Sequence, residues 1–367
     1  MSDWEIVLHD PLGNVLARLD KTSGFYCTKK VNDRAPFRLT MPQTFDRSLF
    51  RLDGLVEFWR TAKDGKPELF GTYLIRLPDG VQDDRNGNHF WYIAGYDLID
   101  WLRRRIVAAA SGSATADKTD YADDMIKAIV TEAFGASAGT GRPIPFTVAA
   151  DLGDAPSITK AFSRRNVLTI LQEICDTSRA GGTNLYFDIV PNGIGTAWTS
   201  TAIPYLFKTY TSQRGQDLTD TVFFGKEYGN LSGAYFFTDH SDEENYIYGL
   251  GQQTKEARNV QTASSTTRIA ASIYNLCEGT AQANTQSEDA GVTAAANAKL
   301  AKARPVKRFG GQLLDTGDYR YGVDWGFGDR VTAEYAGQQF DCEITAVSIS
   351  VDGNGQETFD CRVEVDE

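Results

Sequence analysis

The stretch VDWGFGDRVTAEYAGQQFDCEITAVSISVDGNGQETFDCRVEVDE, residues 323–367, most narrows what this chain can fold into. Val331, Ala333 and Tyr335 alternate with polar neighbours, Ala336-Gly337 forms a turn, and Phe340, Cys342 and Ile344 repeat at period two. The apolar parity then slips by one residue, and Val347, Ile349 and Val351 carry the pattern onward. Such a slip requires a bulge, a bend or a strand buried on both faces. Asp352-Gly353-Asn354-Gly355 supplies the positive-φ positions of a hairpin turn, and Phe359, Cys361, Val363 and Val365 complete the set. Strands this short and curved predict a small β-barrel. The stretch carries no group that does chemistry, so a scaffold role is expected.

At 367 residues the chain is long enough for two to four domains, and its 41% apolar content suffices for ordinary cores. A net charge of −12 argues against a binder of phosphate backbones, which needs a basic stripe to displace counterions. Five dispersed cysteines (27, 175, 277, 342 and 361) without a CxxC pair read as buried thiols in a reducing compartment. A disulfide between Cys342 and Cys361 across the final hairpin stays open at this level. The N-terminus MSDWEIVLHD has no signal-peptide pattern, and no run approaches the ~18 apolar residues of a membrane span, so a soluble chain made in the cytoplasm is expected.

The expected organisation has four parts. Residues 1–110 form a first β-barrel, completed by strands near 203–225. Within it Trp4, Ile6 and Leu8 alternate, as do Phe37, Leu39 and Met41; a turn falls at Lys63–Lys66 and a loop over Asp79–Asn88. Residues 111–202 form an α+β insert. It opens with a polar loop at Ser111–Thr119 and has one helix from near Asp120 to Gly135. A loose segment over Ala136–Ala161 follows, then a second helix over Arg165–Arg179 that Ser163 could cap and Gly181-Gly182 stops. Residues 203–310 are mixed β with an alanine-rich helix over Ala281–Ala303, and 311–367 supply the C-terminal barrel strands. That helix has almost no large apolar side chain beyond Val292 and Leu300, so it lies on a surface or packs closely against something.

No catalytic, cofactor or metal constellation emerges. Asp352–Glu357 lacks the bidentate acid of a calcium loop and reads as a turn. Ser157-Ile-Thr-Lys160 has serine–lysine spacing by chance. Gly249-Leu-Gly251 and Gly326-Phe-Gly328 precede no helix and offer no phosphate cradle. Asp83-Asp84 and Asp242-Glu243-Glu244 are loop charges, and His9, His89 and His240 have no ligand spacing. The aromatic strand at Trp91-Tyr92 is either a sugar platform or a packed core and interface strand.

Several segments together resemble the Gp37-like baseplate-hub proteins of long non-contractile phage tails. They are Ile93-Ala-Gly-Tyr-Asp-Leu-Ile-Asp-Trp-Leu-Arg-Arg-Arg-Ile-Val107, the Asp123–Phe134 helix, and Phe162-Ser-Arg-Arg-Asn-Val-Leu-Thr-Ile-Leu-Gln-Glu-Ile174 with Leu185-Tyr-Phe-Asp-Ile189. Gly328-Asp-Arg-Val331 with Ile344-Thr-Ala-Val-Ser-Ile349 completes the set. The 225–251 region and the alanine-rich helix do not share in it.

The resemblance implies an α+β, mainly-β fold of two tube-like barrels with α+β inserts, and a non-enzymatic virion protein without cofactors, built into the tail tip in the host cytoplasm. It further implies a homotrimer whose paired barrels mimic a six-fold ring beneath the distal tail protein, with the tape-measure protein and fibre or receptor-binding proteins as further partners. DNA would pass its acidic channel without specific binding, and there would be no membrane anchor. Subunit or partner contacts are expected at Arg103, Arg104, Arg105, Asp329, Arg330, Gly353 and Gly355, where guanidinium forks could bridge carboxylates. An alternative is a glycan- or receptor-binding module using Trp91, Tyr92, Tyr246 or Tyr248; a cell-wall hydrolase is the weakest reading. The end of the chain at Glu367, directly after the barrel, argues against an appended lytic domain.

Overall fold

The computed structural model describes residues 3–19, 21–61, 67–83, 87–107, 116–135, 146–162, 164–192, 205–252, 257–284, 286–313 and 319–365. The expected turn at 63–66, the Ser163 cap and Asp84 lie outside them.

The first β-rich region contains β1 (Asp3–His9), β2 (Val15–Leu19), β3 (Gly24–Lys30), β4 (Pro36–Pro42), β5 (Leu55–Thr61), β6 (Pro67–Asp83) and β7 (His89–Asp97), followed by the short helix α1 (Asp100–Arg103). Then come β8 (Ala116–Tyr121), α2 (Ala122–Phe134), β9 (Thr147–Val148), β10 (Ser157–Phe162), α3 (Val167–Ala180), β11 (Leu185–Pro191) and β12 (Tyr205–Thr211). The remainder comprises β13 (Phe223–Gly225), β14 (Leu231–Asp239), β15 (Tyr246–Leu250), β16 (Val260–Ser264), α4 (Thr266–Ala270), β17 (Glu278–Gln282), α5 (Asp289–Lys302), β18 (Val306–Leu313), β19 (Arg330–Tyr335), β20 (Gln338–Asp352) and β21 (Glu357–Val365).

The two expected barrels do not form. Among the described residues both β-rich ends belong to one open 13-stranded sheet, ordered β14-β18-β21-β20-β3-β4-β7-β6-β5-β1-β2, with β13 and β19 attached beside β20. The seam is the antiparallel pairing of β3 with β20, in which Cys27 faces Ile349 and Phe25 faces Val351. No pairing closes β14 onto β2, so the sheet is a mainly-β, α+β framework and not a barrel. The sequence pattern assigns no strand to 24–30, because its inward face runs Phe25, Cys27 and then Lys29, where a charge interrupts the apolar parity. Missing that strand separates the two halves; supplying it joins them.

The parity slip in the C-terminal run has a physical origin. The β20–β21 register shifts between Ile344 and Ala346, a bulge that swaps which face of the strand is buried. Cys342 stands opposite Val365 and Cys361 opposite Val347, so the register separates the two sulfurs and both cysteines are free. Intact-mass measurement after mild oxidation is expected to show no loss of two hydrogens from this pair.

One core lies inside the large sheet and mixes both ends of the chain: Ile6, Phe37 and Phe58 pack with Val331, Ile344 and Val363. A second core joins α2, α3 and β11–β12 and includes Leu55 and Leu74 of the large sheet. Asn166 caps α3 by accepting from the Thr169 amide, and Gly181 ends it. The polar segments expected as loops contain strands: β8 pairs with β10, and β6 runs through Asp79–Asp83 as a ribbon with β7. Their residues alternate in no apolar pattern, so propensity alone does not show them.

The third core is small. The alanine-rich helix is shorter than expected, α5, and residues 278–282 form β17 instead. Val292 and Ala296 of α5 are fully buried against β15, where Gly249 leaves the room. A Cβ at Gly249 would stand 2.8 Å from the Val292 carbonyl oxygen and 3.1 Å from the Ala296 Cβ. Gly249→Ala is therefore expected to cost about 1–3 kcal/mol through overpacking, read by chemical denaturation.

Candidate functional site

The arginine run divides into three different environments. Arg103 is exposed and borders an open depression of about 420 Å³ with Arg34, Asn166 and Thr169. Arg104 is held within the chain by Asp100 at 2.8 Å and Asp53 at 3.0 Å. Arg105 lies over the Phe134 ring at 5.4 Å. Of the three, Arg103 is the most available to a neighbour.

Asp329 and Arg330 sit where the chain at 214–217 meets β19. The Asp329 carboxylate accepts from the Gln216 amide at 2.7 Å and the Gly326 amide at 2.6 Å; burial raises its pKa, opposed by those two amides. Arg330 pairs with Asp217 at 3.2 Å. Gly353 and Gly355 form the β20–β21 turn, with Gly355 at φ 79°, and Asp352 accepts from the Asn354 and Gln356 amides at 2.9 Å each. Those amides hold the Asp352 carboxyl below its ordinary pKa.

One face of Trp91 and one of Tyr92, both on β7, are covered. The Arg47 guanidinium lies 4.0 Å from the Trp91 ring centre, and the indole donates to the Gln43 carbonyl at 2.8 Å. Arg38 lies 3.9 Å from the Tyr92 ring centre. Tyr246 and Tyr248 differ, because they alternate with the buried Ile247 and so point away from α5. Their ring centres are 5.1 Å apart, and the Tyr248 hydroxyl donates to Glu278 at 2.9 Å, which raises the phenol pKa.

Sequence reasoning passes over two charged features that involve the large sheet. The first is a buried bidentate pair: Arg60 Nε and Nη2 donate to the Glu357 carboxylate at 2.8 and 3.0 Å, Arg60 Nη1 to the Tyr321 carbonyl at 2.9 Å, and the Trp4 indole to Glu357 at 3.1 Å. Strand parity could have found it, since Arg60 follows Val56 and Phe58 on one face, and Glu357 precedes Phe359 and Cys361 on another. The second is a polar cavity of about 110 Å³ where β3, β6 and β7 meet β11, lined by Lys29, Asp97, Asp188 and Arg214. No spacing signals it, because its residues come from four distant segments.

Burial pushes the Asp97 carboxyl well above the usual carboxylate range, against two backbone amides that favour its charge. A raised folded pKa means a stability contribution that is complete below the unfolded value and is lost as pH rises through the folded one. Asp97→Asn is therefore expected to gain melting temperature relative to the parent chain at about pH 8 and less, or nothing, at about pH 4. Thermal unfolding at both pH values reads the difference.

Among the described residues, no group of three or more His, Cys, Asp or Glu side chains is placed to hold a metal ion, and no helix is long and apolar enough to cross a membrane. No curated protein matches the chain. Its fold is that of several solved tail proteins. The tail protein from Neisseria meningitidis MC58 superposes with a TM-score of 0.57 at 12% identity, over 99% of this chain and 96% of that one. The 43 kDa tail protein of prophage MuSo2 from Shewanella oneidensis gives 0.59 at 11% identity, over 99% and 100%. The prophage tail protein gp18 from Listeria monocytogenes EGD-e gives 0.53 at 14% identity, over 98% and 94%. Residues 5–363 match the family model described as Siphovirus ReqiPepy6 Gp37-like protein, and the chain belongs to that phage tail and baseplate hub-like family.

Proposed function

We propose that this chain is a structural hub of a long, non-contractile phage tail tip. In this reading it forms a trimeric ring that closes the tail tube and joins the distal tail protein to fibres or receptor-binding parts. The observation that carries the proposal is the extent of the family match, residues 5–363, which takes in the large sheet and both smaller cores. The three hydrophobic cores among the described residues support a partition into a sheet framework with an insert at 111–202 and another within 203–310. Arg103, with its exposed guanidinium, is the foremost candidate for a subunit contact, and Arg330 and the Gly353–Gly355 turn are further ones. Electron microscopy of tails assembled with a tagged copy is expected to place the tag at the tip. A tag along the tube or on the capsid would overturn the reading.

A second reading rests on the outward face of β15. Tyr246 and Tyr248, with Glu278 hydrogen-bonded beside them, form a small aromatic surface that could stack on a sugar ring. Glycan-array binding that disappears in Tyr248→Ala would support it; an array without hits would remove it.

A further inference from the structure

We propose that the cavity between the large sheet and β11 binds a small oxyanion of the phosphate type, held by the Lys29 ammonium and the Arg214 guanidinium. The inference is independent of the tail-tip reading. The cavity, about 110 Å³, is several times the roughly 10–15 Å³ that one water requires.

Its polar groups are incompletely matched. Lys29 Nζ lies 4.8 Å from the Phe70 ring centre and 5.9 Å from that of Phe327. It makes no hydrogen bond or ion pair among the described residues. Arg214 approaches the same Phe327 ring at 5.0 Å and donates through Nη2 to Asp188 at 2.6 Å, while its Nε is buried without a partner among the described residues. Asp97 Oδ1, on the same cavity, is likewise buried without a partner among the described residues. Buried polar groups are ordinarily satisfied, so two orphans beside a free ammonium around one cavity point to an occupant.

The charges select its type. Asp188 neutralises Arg214, and burial favours the uncharged form of Asp97, which leaves Lys29 as surplus positive charge. Burial and then the nearby Arg214 pull the Lys29 pKa down, with Asp188 and the exposed Glu68 opposing, so an added anion would relieve the strain on its charge. Lys30 at the rim adds a further cation. A simple halide would meet the donors but not the Asp97 acceptor. A hydrogen phosphate accepts from Lys29 and Arg214 through its oxygens and donates its hydroxyl to Asp97 Oδ1.

The test is a titration of the full chain with inorganic phosphate at constant ionic strength, with chloride as the matched control. A saturable rise in melting temperature with phosphate and none with chloride is expected. Calorimetric affinity for phosphate should fall about tenfold or more in Lys29→Met, since a hydrogen bond to a charged group is lost. It should persist in Arg103→Ala, which alters the other arginine-lined depression. No saturable response in the parent chain, an equal response to chloride, or undiminished binding in Lys29→Met would each overturn the proposal. The parent titration decides the matter even if the Lys29 variant does not fold.

Discussion

Glu357→Ala is expected to destabilise the chain by on the order of 3–5 kcal/mol, because it strands a buried guanidinium. The side chains of Arg60 and Glu357 are only 8% and 10% exposed and meet through two parallel hydrogen bonds. They come from opposite ends of the sequence: Arg60 lies on β5 in the first β-rich region, and Glu357 opens β21 in the last. Their contact spans the inside of the curved sheet, where Trp4 and Tyr321 complete the donors and acceptors. The loss exceeds that of a surface pair, which is worth about 0–1 kcal/mol. Replacing both partners with apolar residues, Arg60→Met with Glu357→Leu, is expected to recover most of the deficit, since the cost lies in the unpaired charge. Equilibrium denaturation of the three variants reads this directly, and a single-variant loss below about 1 kcal/mol would show the pair to be unimportant.

Lys127→Met is expected to have an effect of similar size, about 3–5 kcal/mol, for the same reason with the sign reversed. Lys127 is 2% exposed within α2 and donates to Asp124 at 3.1 Å, to Asp123 at 3.5 Å and to the Ala150 carbonyl at 2.9 Å. The two carboxylates also tie down the following segment: Asp124 accepts from the Leu152 amide at 3.0 Å and Asp123 from the Ala155 amide at 3.1 Å. Without the ammonium, two buried carboxylates would face each other, and amides 150–155 should lose hydrogen-exchange protection ahead of the rest of the chain. The Asp124 carboxyl lies below its ordinary pKa, with the Leu152 amide and Lys127 overcoming its burial. Its stabilisation is therefore present above the unfolded pKa and lost as pH falls through the folded one. The deficit of Lys127→Met should accordingly shrink in acid, where protonation of Asp124 removes an unpaired charge. A deficit independent of pH would point to lost packing instead.

Much of the local structure is written in residue periodicity. The slip between Ile344 and Val347 is a bulge in β20, and the stripe of Met125, Ile126, Ile129 and Val130 is the buried side of α2. The union of the two β-rich regions is not legible in this way, because it depends on β3, whose inward face passes from Cys27 to a lysine. That lysine serves the cavity, so one residue obscures the strand and also marks a place where the fold departs from a simple apolar interior. The strands β8 and β10 escape for another reason. Their six-residue pairing is largely polar and exposed, and backbone register rather than side-chain burial defines it. Of the proposed contact residues, the sequence indicates the arginine run but not that Arg104 would be engaged by Asp53 and Asp100. Asp53 lies 51 positions away, out of reach of any local pattern, whereas Asp100 stands only four residues before Arg104 and is an i,i+4 pair that the spacing could have shown.

The hub reading turns on assembly, since no local chemistry carries it. In the proposed ring, the open sheet with β2 and β14 at its ends and the exposed Arg103 would leave surface for neighbouring subunits, and the net charge of −12 would suit a channel that phosphate backbones pass without adhering. Sedimentation equilibrium of the intact chain, alone and mixed with the distal tail protein, tests this most directly. A particle of three copies, formed alone or on mixing, is the predicted result. A chain that stays monomeric in both samples across the accessible concentration range would contradict the account.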